Sequence, residues 1–152
     1  MKHLIIFCMI LTACQSSPED MGLKEAVKWL NKLEINNKTF KPYTVKALKD
    51  LKVLELVGTP VTDMDLVHLK ALKNLKALDL SSTHVTDKGL VHLKALKGLT
   101  TLVLIGTRVT DEGLVHLKTL KNLTTLTLMG TQVTDAGVKD LKKALPKSNI
   151  IK

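Results

Sequence analysis

Three histidines stand at the same place in successive blocks of this chain: His68, His92 and His116, each 24 residues after the last. Imidazole binds metals and moves protons near neutral pH, so a ladder of them raises the question of a metal centre. Zinc needs its ligands about 2.0–2.1 Å from one point, whereas helical elements pack about 8–10 Å apart. The next block carries Asp140 at that place. The ladder therefore reads as a repeated solvent-facing position, and no metal or other cofactor is expected. A second constellation places Asp79, Ser81, Ser82 and His84 within six residues. A hydrolase triad needs its nucleophile bonded to a base and the base to an acid. Asp79 and Ser81 alternate with Leu78 and Leu80, which puts both on one face of a strand. His84 follows the turn and points elsewhere, and no glycine run lies nearby to form an oxyanion hole. Catalysis is not expected.

The same strand positions are better suited to binding. Glu55 and Asp79 occupy one place in adjacent blocks, with Lys52 and Lys76 close by in sequence. Carboxylates held side by side repel, raise a pKa or recruit a cation. Their row continues with Val103 and Thr127, which confines the acidic spot to the N-terminal half. The neighbouring row is Val57, Ser81, Ile105 and Met129, and Val53 and Ala77 extend it. An apolar row on a face that no helix covers marks a docking surface. The expected partner-binding set is Val53, Glu55, Val57, Asp79, Ser81, Val103, Ile105, Thr127 and Met129.

These side chains are placed by a repeat. Blocks of 24 residues begin at Leu48, Leu72, Leu96 and Leu120. A period of that size marks an array whose units pack only on their neighbours. Leu54-Glu55-Leu56 alternates as a strand does, and Leu66, Leu69 and Leu72 follow at helical spacing. Thr62-Asp63, Thr86-Asp87, Thr110-Asp111 and Thr134-Asp135 stand where a helix would start and can cap it. Gly58, Gly106 and Gly130 fall where the chain leaves the strand, with Ser82 in their place in the second block. Identical strands in identical units stack in parallel about 4.8 Å apart. Helices are wider, so the sheet becomes the inner face.

The pattern L-x-x-L-x-L-x-x-T-x-V-T-D-x-G-L-x-x-L resembles the leucine-rich repeat, and more narrowly its bacterial branch near the ribonuclease-inhibitor and cysteine-containing types. The resemblance covers roughly residues 42–152. It implies an α/β solenoid, a short right-handed arc with a parallel concave sheet and helices outside, that binds protein and is not an enzyme. Thr59, Thr83, Thr107 and Thr131 depart from the family's usual Asn or Cys; their hydroxyls are expected to bond the backbone of a neighbouring turn.

Residues 1–13 have the layout of a secretory signal: Lys2, then the apolar run Leu4 to Leu11, too short to span a bilayer. Leu11-Thr12-Ala13-Cys14 resembles the bacterial lipobox, which implies cleavage before Cys14, lipidation of that cysteine and a tether at 14–17. Several acyl chains together anchor firmly. The implied location is the bacterial cell envelope, with the outer membrane favoured in a Gram-negative cell because Gln15 replaces an inner-membrane Asp. Residues 18–47 are expected to form an N-terminal helical cap, with Ser17 at its start and Trp29, Leu30 and Leu33 covering the array. Residues 48–143 hold the four repeats and 144–152 a C-terminal cap whose Asn149-Ile150-Ile151 supplies a fifth strand.

The formal charge is +9, with Lys70, Lys94, Lys118 and Lys142 in one row and Lys73, Lys97 and Lys121 in another. Such a stripe could meet an anionic lipid, lipopolysaccharide or cell-wall polymer. It also complements helix C-termini, as the aspartates complement the N-termini. Aromatic residues make up only 3%, too few for stacking on bases, so nucleic acid is not expected. The expected partners are one protein and, through the anchor, a membrane, with the chain a monomer.

Overall fold

A computed structural model describes residues 18–32 and 44–152. The signal segment, Cys14, Ser17, Leu33 and the stretch around Pro42 and Tyr43 lie outside the described residues. Helix α1 (Pro18–Lys32) and the short α2 (Val45–Lys49) precede the repeats. Five three-residue strands follow: β1 (Val53–Glu55), β2 (Ala77–Asp79), β3 (Thr101–Val103), β4 (Thr125–Thr127) and β5 (Asn149–Ile151). They form one parallel sheet in sequence order. The register steps by the sequence period, Leu54 facing Leu78, then Leu102, Leu126 and Ile150. Between strands lie a 3₁₀ turn (Asp65–Ala71) and helices α3 (Asp87–Leu93), α4 (Asp111–Leu117) and α5 (Asp135–Ala144). This is the α/β leucine-rich-repeat solenoid expected from the block pattern.

The core is one continuous leucine stack. Leu56, Leu80, Leu104 and Leu128 point inward from the strands, and Leu69, Leu93, Leu117 and Leu141 meet them from the helical side, all fully buried. A buried leucine side chain contributes about 1.5–3 kcal/mol, and no unit holds enough of them to stand alone. Both ends of the stack are covered. Leu23, Ala26, Trp29 and Leu30 of α1 are buried in the same core, and the Trp29 indole N–H donates to Asp65 Oδ1 at 3.1 Å. Helix α5 ends at Ala144, two residues before Pro146, and Ile150 of the fifth strand is buried.

The turn out of each strand needs a left-handed residue. Gly58, Gly106 and Gly130 have φ of 66°, 66° and 68°, and Ser82 takes φ 56° without the freedom of glycine. The threonine row differs from its expectation. Thr59, Thr83, Thr107 and Thr131 donate to Leu56, Leu80, Leu104 and Leu128 O, three residues back in their own units. They tighten the turn and do not link repeats.

Other side chains make those links. Asp63 accepts from the backbone N–H and hydroxyl of Thr86, Asp87 from those of Thr110, and Asp111 from those of Thr134. Each of these threonines is the N-cap of the helix in its own unit. Asn74 and Asn122 add bonds to Lys49 O and Lys97 O, and Thr100 and Thr124 hydroxyls reach Lys76 O and Thr100 O.

Candidate functional site

Residues 53, 55 and 57 and their equivalents alternate with buried leucines, so they stand on the side of the sheet away from the helices. The central row pairs Glu55 with Asp79, Asp79 with Val103, Val103 with Thr127, and Thr127 with Ile151. The two carboxylates are thus neighbours across one strand spacing. Among the described residues neither makes an ion pair with Lys52 or Lys76, although both lysines are close in sequence. Among the described residues Glu55 makes no side-chain hydrogen bond or ion pair, whereas Asp79 Oδ1 accepts the Ser81 N–H at 2.8 Å and its hydroxyl at 2.5 Å.

The apolar row is open to solvent at three of its four places. Val57 is 45% exposed, Ile105 37% and Met129 50%, and Val53 and Ile151 stand out beside them. Val103, Thr127 and Ala77 are half-buried. Ser81 is the exception, only 8% exposed. It lies between the larger Val57 and Ile105 and turns its hydroxyl onto Asp79, so it spaces the row and does not offer a contact of its own. The same bond bears on the hydrolase constellation: the serine is tied to a carboxylate, while exposed His84 contributes its backbone N–H to Val61 O.

On the helical side the histidine ladder is not solvent-facing. All three residues are half-buried, and Nδ1 of His92 and of His116 is enclosed without a hydrogen-bond partner. Burial, and then the Lys70 ammonium, hold the His92 pKa below the ordinary histidine value, with Asp63 acting in the opposite direction. His68 stacks on Trp29 with ring centroids 5.4 Å apart. Among the described residues no three His, Cys, Asp or Glu side chains gather as a metal site requires. Part of the lysine stripe is engaged internally. Lys118 pairs with Asp140 at 2.5 Å and holds that carboxyl below the usual carboxylate range, and Lys121 donates to Ala144 O.

Sequence reading missed the carboxylates that join one repeat to the next. Their signal was present: glycine recurs at 89, 113 and 137, two places after each Asp from the second block onward. A Cβ on Gly89, Gly113 or Gly137 would fall 2.5, 2.3 or 2.1 Å from an oxygen of Asp63, Asp87 or Asp111. The glycine leaves room for the carboxylate of the preceding unit.

Sheet, helices and repeat together give the chain the architecture of a leucine-rich-repeat solenoid. The family model described as Leucine Rich repeat matches residues 71–94 and 119–142. No curated protein matches the chain significantly. Among solved structures, the actin-binding site 2 of leiomodin-1 is similar with a TM-score of 0.54 at 17% identity, over 88% of this chain and 75% of that one. A leucine-rich-repeat protein of Leptospira interrogans is similar at 22% identity and a TM-score of 0.41, over 74% of this chain and 40% of that one. Internalin C2 of Listeria monocytogenes is similar at 18% identity and a TM-score of 0.38, over 88% and 81%. Solenoids of this kind present extended surfaces that generally serve protein interaction.

Proposed function

We propose that this chain is a non-catalytic protein-binding module that captures one protein partner on the open, concave face of its sheet, and that Cys14 carries lipid that holds the module on a bacterial envelope membrane. The observation that carries the binding reading is the exposed row Val57, Ile105 and Met129 on a face that no helix covers. Exposed apolar side chains gathered on one uncovered face are a mark of a docking surface. Glu55 and Asp79 give that surface a polar end and hence a direction for its partner. The anchor rests on Leu11-Thr12-Ala13-Cys14 and the apolar run before it.

The binding test is in-cell crosslinking from a photoreactive residue at position 127, followed by mass spectrometry. Ile105→Glu with Met129→Glu should abolish the crosslinked partner while the circular dichroism spectrum is kept. An unchanged partner would refute the assignment. A partner lost instead by raising salt alone would favour the lysine face and an anionic polymer. For the anchor, Cys14→Ser should move the protein out of the membrane fraction; retention there would sink that part of the reading.

A further inference from the structure

A cavity of about 880 Å³ opens between α1, the end of α2 and the 3₁₀ turn, away from the open sheet face. Its apolar wall is Leu23 from α1 with Val67 and Ala71 from the 3₁₀ turn. Gly22 stands at its edge and offers no side chain to fill it. Lys70 and Lys73 also line it, and neither has an ion pair or side-chain hydrogen bond among the described residues. Of the acids present, Glu25 is paired with Lys28 at 2.9 Å, which leaves Asp50 alone against the cations. The volume suits a small molecule.

We propose that this cavity binds a single medium-chain fatty acid, with its carboxylate on Lys70 and Lys73 and its tail along Leu23, Val67 and Ala71. Charge complementarity selects this occupant. A free inorganic anion would use the lysines and leave the apolar wall wet. A cationic amphipath would cover the wall and meet like charge at the rim. An anionic aliphatic chain satisfies both, and the net charge of +9 favours its approach. The chain's own apolar run from Leu4 to Leu11 brings the cation of Lys2, not an anion.

The site carries its own reporter. Trp29, the sole tryptophan of the sequence, stacks on His68, which lines the cavity. Titrating the full chain with submicellar decanoate should change Trp29 emission saturably. Acetate and decyltrimethylammonium at equal concentration should not. Lys70→Glu with Lys73→Glu, both exposed positions, should weaken decanoate by about tenfold or more through loss of charge-assisted bonds, with an unaltered far-ultraviolet spectrum. Equal responses to decanoate and decyltrimethylammonium would overturn the proposal, as would undiminished binding by the double variant. An emission that ignores decanoate but shifts with Ile5→Asp and Ile6→Asp would assign the cavity to the chain's own N-terminal run and equally overturn it.

Discussion

The Asp87 carboxylate accepts the backbone N–H and the hydroxyl of Thr110, each at 2.8 Å, so the helix of one repeat is capped from the repeat before it. In an ordinary capping box an acidic or amide side chain three places into the helix reaches back to the cap residue. Here that place is Gly113, and the carboxylate arrives from the neighbouring unit instead. The first repeat shows the alternative. No carboxylate precedes it, since Thr39 stands 24 residues before Asp63, and Asp65 occupies the glycine position. Asp65 Oδ2 accepts the N–H of Thr62 at 2.9 Å and its hydroxyl at 2.7 Å, closing the box within one unit. Its other oxygen holds Trp29 of the cap helix.

Asp87→Ala should therefore destabilise far more than an exposed aspartate would. It removes two charge-assisted bonds and leaves the cap of α4 half-satisfied, a loss of about 2–4 kcal/mol. Among the described residues Asp135 meets only Lys152, and its side chain is 96% exposed. Asp135→Ala should stay within about 0.5 kcal/mol of the parent. Urea unfolding of the two variants checks this. Equal losses would mean that the carboxylate ladder does not join the repeats energetically.

The glycine opposite each carboxylate gives a sharper prediction. Gly113→Ala places a Cβ 2.3 Å from Asp87 Oδ1, and the clash should cost about 1–3 kcal/mol. With Asp87→Ala already present only Leu90 Cδ1, 3.0 Å from the same Cβ, has to shift, and alanine is worth up to about 1 kcal/mol over glycine in a helix. The cost of the substitution should therefore be largely cancelled in that background. Simple additivity in the double-mutant cycle would show that the two residues do not share one space.

The block period of 24 residues made strand register, core leucines and the left-handed turn legible, because each follows from like residues stacking on like. The carboxylate link was not legible in that way. Asp63 and Thr86 lie 23 residues apart in sequence and meet only once adjacent units are stacked. Read along one block, the aspartate looks like a partner for its own helix dipole. The histidine ladder failed for a related reason: helical spacing puts His92 toward the outside of its own helix, but the helices on either side bury it to half. Ser81 obeyed the alternation rule yet is covered, because a small side chain between Val57 and Ile105 cannot reach past them. The apolar row itself was legible, since exposure there depends only on strand alternation.

Acid should loosen the fold through His92. Burial and Lys70 hold its pKa below the ordinary value, which is about 6.5. The unfolded chain therefore takes up a proton that the native state refuses. Stability is full above about pH 6.5 and declines as pH falls from there until native His92 itself titrates. Asp111, held low chiefly by the Thr134 hydroxyl and then by its N–H, acts in a separate window. Its contribution is present above about pH 4 and is lost only below that. His92→Gln should flatten the fall in urea midpoint between about pH 7 and pH 5.5. A variant with the same slope as the parent would remove His92 from the account.

Ser82 offers the opposite kind of change, a gain. It holds φ 56° in the turn where the other repeats use Gly58, Gly106 and Gly130. A residue with a Cβ loses about 1–2 kcal/mol in that conformation. Glycine would recover this, less about 0.5–1 kcal/mol for the greater freedom it gives the unfolded chain. The Ser82 hydroxyl makes no hydrogen bond among the described residues, so its removal forfeits none there. Ser82→Gly should stabilise by about 0.5–1 kcal/mol, seen as a higher urea midpoint at constant m-value. Gly106→Ala, with φ 66°, should lose about 1 kcal/mol. A destabilised Ser82→Gly protein would show that the serine side chain contributes more to its turn than the left-handed backbone takes away.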